Sequence, residues 1–184
     1  MNLDEAIRSR RSVRQFRPDP VDRTLIEEII ELACWAPNHR HTEPWRFYVA
    51  TGAAKEPLCA IHRDLTREER PEEPERAEAR YQELMGVPVF IAVTVQGDPV
   101  PKRDLENYSA VCCAIQNLLL AAHGRGLGAV WRSGNVIRDP RTRAWLGLAE
   151  DERIVGLIQV GYPAAPPAAA TRAPVAAKSV FLEG

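Results

Sequence analysis

The sequence feature that most constrains the fold is an apolar stretch covering residues 108–123. Apolar side chains recur on every side of a helix drawn through it, and Gly124 and Gly126 follow as residues that commonly end helices. A helix that is apolar all round is stable only in a protein core or in a subunit interface. The sequence therefore predicts a fold built around this helix, with an extensive isologous interface to a second copy.

Strands and further helices are predicted around this core helix. The predicted strands are residues 45–49, 87–95, 128–131 and 153–163. The second of them lacks polar alternation, as expected for a strand covered on both faces. The predicted helices are residues 2–11, residues 24–36 with a Thr24/Glu27 capping box and a stop at Pro37, and residues 140–147 after Asp139. This order predicts an α+β or α/β sandwich, with a sheet between helical layers.

Two segments lack a clear packing pattern. Residues 66–83 are rich in Arg and Glu and contain Pro71 and Pro74, which predicts a solvated, partly mobile excursion with a helical part at 77–84. This excursion is a candidate lid, although a charge run is more often only a solvated face. The Ala- and Pro-rich residues 164–184 predict an extended C-terminal arm, either disordered or lying across another subunit. Residues 1–184 are interpreted as a single domain that includes this arm.

Charge and hydropathy exclude several classes of partner. The chain has 24 Lys and Arg against 25 Asp and Glu, a formal net charge of −1, which favours neither nucleic acid nor an anionic membrane. No apolar run is long enough to span a bilayer. The N-terminal residues are acidic and begin an amphipathic pattern, unlike a signal peptide. A cytoplasmic location is therefore expected.

The cysteines do not predict a metal or redox centre. There are four of them, Cys34, Cys59, Cys112 and Cys113, without a Cys-x-x-Cys pair. We expect buried, reduced thiols in apolar surroundings. A metal site using His39 and His41 would lack four ligands at the usual spacings.

Two segments have the composition of a ligand site. The first is Arg8-Ser9-Arg10-Arg11-Ser12-Val13-Arg14, whose guanidiniums and hydroxyls suit a phosphate but equally suit the negative end of a helix dipole. The second is the glycine-rich stretch 124–134, which contains Trp131 and could approach a flat ligand. Its spacing does not match a dinucleotide-binding fingerprint, and the sequence has no hydrolase nucleophile elbow, zinc-protease motif or P-loop.

Three motifs in sequence order carry a resemblance to a known family. Arg10-Arg11-Ser12-Val13-Arg14-Gln15-Phe16 resembles the N-terminal signature of nitroreductase-like flavoproteins. Residues 36–47, from Ala-Pro-Asn-His to Glu-Pro-Trp-Arg-Phe, are similar to their Ala-Pro-Ser loop before Pro-Trp. Gly126-Leu127-Gly128 with Trp131-Arg132-Ser133-Gly134 is similar to a short subfamily of that family. The match covers nearly the whole chain up to Pro163.

This resemblance implies a fold, a cofactor and an activity. The implied fold is the nitroreductase-like α+β homodimer, with a central, mostly antiparallel sheet flanked by helices and two FMN sites at the subunit interface. The implied activity is NAD(P)H-driven ping-pong reduction of nitroaromatics, quinones or related electron-poor small molecules, with NADH or NADPH as reductant. The alternatives are other flavin chemistry on the same scaffold (a dehydrogenase, a dehalogenase or flavin fragmentation), a non-catalytic FMN carrier or sensor, and a flavin-free interaction protein.

The resemblance also implies site residues, and it requires no catalytic side chain. Arg10, Arg11 and Ser12 would bind the FMN phosphate and ribityl chain, and Arg14 would give electrostatic support near flavin N1 and the C2 carbonyl. Trp35 and His39 would reach the flavin from the partner subunit. Trp131, Arg132 and Ser133 would line the isoalloxazine and phosphate side, with a backbone N–H near Ser133 or Gly134 facing N5. A turn would contribute to nicotinamide binding through Ala121, Ala122, His123, Gly124, Arg125 and Gly126.

The sequence departs from the family pattern at three places. Asn38 stands where Ser is usual, and Glu43 replaces Gln before Pro-Trp. The C-terminal segment lacks the basic pattern of longer members. Arg172 and Lys178 are the candidate substitutes for phosphate binding.

Overall fold

One antiparallel sheet forms the centre of the protein, which a computed structural model describes over residues 1–182. Its strands are β1 (Trp45–Thr51), β2 (Val89–Gln96), β3 (Gly128–Arg132) and β4 (Glu152–Gly161), in the order β1-β2-β4-β3. Every neighbouring pair is antiparallel. The predicted α+β architecture with a mostly antiparallel central sheet is confirmed.

Helices cover both faces of this sheet. They are α1 (Leu3–Ser9), α2 (Arg23–Ala33), α3 (Glu56–Glu69), α4 (Pro74–Met85), α5 (Pro101–Gly124) and α6 (Pro140–Leu146). Short 3-10 turns occur at His39–His41, Gly52–Lys55, Asn135–Arg138 and Val175–Ala177.

The central strand β2 divides the core into two layers. Ile91 and Val93 pack in the same cluster as residues of α2 and α5, whereas Phe90 and Ala92 pack with residues of α3 and α4. This division follows from strand geometry, since successive side chains point to opposite faces. The strand is therefore covered on both sides, as its sequence predicts.

Helix α5 is the longest element and begins earlier than the apolar pattern indicates. It starts at Pro101, a residue favoured in the first helical turn, and its first two turns carry mainly charged side chains. Ile115, Leu118 and Ala122 are completely buried, whereas Leu105 is 65% exposed. One side of α5 therefore packs in the core, and its exposed side remains available for another surface.

Two helix boundaries predicted from the sequence are wrong. Asp22, not Thr24, caps α2, because its Oδ1 accepts a hydrogen bond of 2.7 Å from the Thr24 N–H. The same helix ends at Ala33, before Pro37. Helix α1 stops at Ser9, because Arg10 adopts an extended ψ of 130°. The arginine-rich segment consequently leaves the helix instead of forming its last turn.

The segment at residues 66–83 is largely solvated, as predicted, and the predicted helical part at 77–84 lies within α4. Most of the rest is also helical, which was not predicted. Helices α3 and α4 form a hairpin, and only the connection between them is irregular. Leu58, Ile61 and Leu84 are buried where the hairpin packs on the sheet. These three apolar residues lie outside the charged residues 66–83. The composition of residues 66–83 therefore gave no indication that the hairpin packs on the sheet.

The cysteines are only partly as expected. Cys59 is buried, but Cys34 and Cys113 are exposed and Cys112 is half-buried. No group of three or more potential metal ligands occurs among residues 1–182. Over the same residues, every helix is either too short or too polar to cross a membrane.

Candidate functional site

An extended segment, residues 10–16, lies along the outer edge of β3. Ser12 forms a parallel bridge with Ala129, and the Val13 N–H donates to the Ala129 carbonyl at 3.1 Å. Phe16 bridges to Pro163. These backbone contacts attach the segment to β3 and β4 and present its polar side chains away from the core.

Glycines at two sheet positions create the space that this arrangement needs. A Cβ added to Gly128 would lie 2.7 Å from the Val13 Cβ, so only glycine lets residues 10–16 approach β3 this closely. A Cβ added to Gly156 would lie 2.1 Å from Nε1 of Trp131. The indole therefore lies flat against β4, where its N–H donates to the Val155 carbonyl at 3.4 Å.

The extended segment and the C-terminal arm enclose a cleft of about 520 Å³. Residues 10–15 form one wall, and residues 165–168 with Arg172 form the other. We call this the arginine cleft. Its lining includes Arg10, Arg11, Arg14 and Arg172 and contains no carboxylate. The structure thus places Arg10, Arg11, Ser12 and Arg14 in the lining of one cleft. Of the two C-terminal candidates, Arg172 lines this cleft and Lys178 does not.

The positive charges of the arginine cleft are poorly compensated. Burial, followed by the charges of Arg11 and Arg172, lowers the pKa of Arg10 below its usual value. Nε of Arg11 is buried without a hydrogen-bond partner, while its Nη1 donates to the carbonyls of Arg8 and Arg10. Like charges held this close raise the free energy of the folded protein unless an anion joins them.

Trp131, Arg132 and Ser133 face three different surroundings within one copy of the chain. Trp131 packs on β4, Arg132 lines a cleft beside the α3–α4 hairpin, and Ser133 lines a third cleft with Tyr108 and Arg153. None of the three lines the arginine cleft. Alternation along β3 and its end at Arg132 account for this divergence.

The predicted turn from Ala121 to Gly126 is wrong for its first four residues, which belong to α5. Ala121 and Ala122 are buried in the core, and Arg125 is paired with Glu28 at 2.7 Å. Gly126, with a φ of 75°, forms the turn itself. His123 and Gly126 line a small cavity of about 230 Å³ together with Arg10 and Arg11, and His123 Nε2 lies 2.7 Å from Ser9 Oγ.

Trp35 and His39 lie on a loop that does not line the arginine cleft of the same copy. Trp35 is 77% exposed, and its indole N–H donates to Glu31 at 2.6 Å. His39 is exposed at the start of a 3-10 turn. Trp35 therefore presents a largely exposed aromatic ring on the surface of one copy.

The loop that contains His39 has a strained backbone, which side-chain hydrogen bonds stabilise. Arg40, His41 and Glu43 have φ values of 66°, 52° and 44°, which non-glycine residues rarely adopt. Asn38 accounts for part of this geometry, because its Oδ1 accepts the Glu43 N–H at 2.7 Å. Thr42 anchors the loop by donating to the buried Asn107 at 2.9 Å. Strain of this kind is concentrated at functional sites in proteins.

Sequence reasoning missed some residues that shape the site. Val13 and Gly156 position the extended segment and Trp131, and residues 165–168 complete the arginine cleft. A glycine inside a β-branched strand was an available signal for Gly156. The family resemblance suggested Arg172 for phosphate binding, but no pattern in the sequence indicated that residues 165–168 would line the same cleft.

Comparison with known proteins agrees with this geometry. The model of the nitroreductase family matches residues 7–162. YfhC of Bacillus subtilis, which its name places among the NAD(P)H nitroreductases, is 37% identical over 94% of this chain and 90% of its own length. A nitroreductase-like protein from Bacillus cereus has 34% identity and a TM-score of 0.88, with 100% and 97% of the two chains covered. A structure from Desulfovibrio desulfuricans, described as a nitroreductase in complex with FMN, has 28% identity and a TM-score of 0.76, with 100% and 99% covered. The chain belongs to the nitroreductase family.

Proposed function

We propose that this protein is an FMN-dependent oxidoreductase that uses NADH or NADPH to reduce nitroaromatics, quinones or related electron-poor molecules. The observation that carries the proposal is the arginine cleft, which gathers Arg10, Arg11 and Arg172 without a lining carboxylate. Membership of the nitroreductase family and the FMN complex of the Desulfovibrio desulfuricans relative support the same cofactor.

The residues of the cleft fit the phosphate of FMN. Guanidiniums donate bidentate, charge-assisted hydrogen bonds to phosphate oxygens, and the unpartnered Nε of Arg11 is one such donor. The Ser12 hydroxyl lines the same wall and suits the polar ribityl chain. A dianionic phosphate would also offset the burial and the mutual repulsion that lower the pKa of Arg10.

The remaining site residues would orient the cofactor and support its charge. When bound, FMN supplies two-electron chemistry between the nicotinamide reductant and the acceptor. Arg14, two residues after the Ser12 bridge, would hold a fixed positive charge beside flavin N1 and the C2 carbonyl, where negative charge develops on reduction. Trp131 and a backbone N–H near Ser133 or Gly134 would face the ring system.

We infer that a second copy completes the site. Trp35, Leu105 and Tyr108 are exposed apolar or aromatic side chains on the loop and on α5. On the arm, Val180, Phe181 and Leu182 are more than three-quarters exposed. Covering such side chains is favourable by roughly 25 cal/mol per Å². In a homodimer the end of the arm, beyond the residues that line its own arginine cleft, would lie across the other subunit. Trp35 and His39 of each copy would approach the arginine cleft of the other.

The decisive experiment is an anaerobic absorbance spectrum of the FMN-reconstituted protein, before and after addition of NADH or NADPH. We expect the oxidised flavin bands to bleach and then return when a quinone or nitroaromatic is added. Arg14→Ala should slow this bleaching much more than it lowers stability, and Arg8→Ala, which removes an exposed arginine outside the cleft, is the control. Bound FMN that neither nucleotide bleaches would contradict the proposed activity.

Subunit sharing can be tested by mixing two defective variants. Arg11→Glu damages the cleft of its own copy, and the double change Trp35→Ala with His39→Ala damages the loop offered to the other copy. Random mixed dimers would regenerate one intact site each, or about a quarter of the wild-type sites. Activity that stays at the sum of the separate variants, or elution as a stable monomer, would contradict a shared site.

A further inference from the structure

A second arginine-rich cleft lies beside the α3–α4 hairpin. It has a volume of about 550 Å³, and its charged lining residues are Glu69, Arg70, Arg76, Arg80, Glu83 and Arg132. We call it the hairpin cleft. Arg132 ends β3, next to the segment that contains Arg14, and the charge of Arg14 acts on Arg132. The hairpin cleft and the arginine cleft are therefore close enough for the charges of their arginines to interact.

Two buried polar atoms have no hydrogen-bond partner, one on a residue that lines this cleft and one on a residue whose pKa is affected by the cleft's arginines. They are Nε of Arg132 and Nε2 of His62 on α3. Burial, followed by the charges of Arg80 and Arg132, lowers the pKa of His62 to about 4. Burial is the larger cause, and the two guanidiniums add to it although the Glu83 carboxylate lies 2.7 Å from Arg80.

We propose that the hairpin cleft binds the anionic group of a substrate, with Arg80 and Arg132 as its principal donors. The inference rests on the proposed function, since it takes the reductant or acceptor to lie over a flavin near Arg14. The shared chemistry is an oxyanion: the 2′-phosphate of NADPH or the carboxylate of an acidic acceptor. Both accept charge-assisted hydrogen bonds from guanidinium.

The partial pairing of this cleft suits a substrate that must leave again. Arg70 and Arg76 already contact Glu73 at 2.9 Å each, and Arg80 contacts Glu83, so an incoming oxyanion competes with these carboxylates. Within the described residues, Arg132 has no carboxylate partner. An anion would therefore bind the Arg132 guanidinium without competition, whereas it would share the Arg80 guanidinium with Glu83. This competition favours moderate and reversible binding.

Direct binding and substrate preference test the proposal separately. Calorimetry on the FMN-loaded protein would use 2′,5′-ADP against 5′-AMP for the phosphate, and 4-nitrobenzoate against 4-nitrobenzamide for the carboxylate. In kinetics, the same comparison is the kcat/KM ratio for NADPH over NADH and for the nitrobenzoate over the amide. We expect Arg80→Gln to lower the affinity for the anionic probe and the kcat/KM ratio about tenfold in at least one of the two comparisons, phosphate or carboxylate.

Two further variants distinguish a binding role from a structural one. Arg67→Gln removes an exposed arginine of α3 that does not line the cleft, and it should leave both readouts as in wild type. Glu83→Gln removes a competing carboxylate and should raise the same ratio about threefold, an increase that mere disruption would not produce.

The phosphate comparison and the carboxylate comparison together identify the ligand. If the variants change only the phosphate comparison, the hairpin cleft binds the reductant. If they change only the carboxylate comparison, it binds the acceptor. Equal affinities and equal kcat/KM ratios for wild type, Arg80→Gln and Glu83→Gln in both comparisons would overturn the proposal. Because calorimetry needs no turnover, failure of flavin reduction would count against the proposed function and leave the binding test intact.

Discussion

The arginine cleft and the hairpin cleft contain similar numbers of arginines but differ in their counter-charges. In the arginine cleft, Arg10, Arg11 and Arg172 meet no lining carboxylate. In the hairpin cleft, most guanidiniums are already within hydrogen-bonding distance of Glu73 or Glu83. Arginine content alone therefore does not indicate a phosphate site, whereas unpaired, partly buried arginine does. The difference suits a resident cofactor in the first cleft and an exchangeable substrate in the second.

The largest effect is expected from reversing a charge in the arginine cleft. Arg11→Glu replaces a phosphate donor by a carboxylate and should weaken FMN binding by about 100-fold or more, since hydrogen bonds between charged groups contribute about 1.5–3 kcal/mol each. Fluorescence titration with FMN measures this. The matched control is Arg8→Glu, which makes the same change on the exposed surface of α1 and should bind FMN almost as wild type does. Equal losses in the two variants would show that net charge, not the cleft, retains the cofactor.

A smaller effect should follow from filling the space between the extended segment and β3. Gly128→Ala places a Cβ 2.7 Å from the Val13 Cβ, and such overpacking should lower the free energy of unfolding by about 2–3 kcal/mol. It should also weaken FMN binding, because the arginine segment is displaced. Urea unfolding and FMN titration check both.

Gly124→Ala is the control for this glycine substitution. No atom lies within 4 Å of the added Cβ, and the residue is helical, so stability should stay the same or rise by about 0.5–1 kcal/mol. If Gly128→Ala bound FMN normally, the contact of Val13 with β3 would not be what positions the arginine cleft.

The smallest effect concerns the pH dependence of stability at the hairpin cleft. His62 has a folded-state pKa of about 4 against about 6.5 in an unfolded chain, so only the unfolded chain takes up this proton between those pH values. As the pH falls from about 6.5 to about 5, His62 should therefore cost the protein on the order of 1–2 kcal/mol of stability. Urea unfolding of His62→Gln should show a correspondingly shallower acid loss. An acid loss equal to that of wild type would mean that neither burial nor the neighbouring arginines keep the folded-state pKa of His62 low.

Prediction from sequence was most successful where neighbouring residues decide the structure. The β-branched run around Ile91 and the apolar pattern of α5 gave the correct element types, and three short motifs indicated the family. Boundaries were less accurate, because a cap depends on one side chain: Asp22 replaced Thr24, and α1 ended two residues early. The α3–α4 hairpin was predicted only in part, since most residues between its ends are charged and the few apolar residues that pack it on the sheet lie outside this charged segment.

The sequence by itself determined the sheet-and-helix architecture, the arginine-rich segment and the family membership, because periodicity and short motifs are properties of nearby residues. Only the tertiary structure decided which arginines lack counter-charges, where Arg172 lies and which cleft Arg132 lines. Contacts such as that between Arg11 and the Ala170 carbonyl, 159 positions apart in the chain, follow from the path of the folded backbone. Charge compensation depends on distances in space, so a sequence can name the arginines but cannot tell which ones remain free for a ligand.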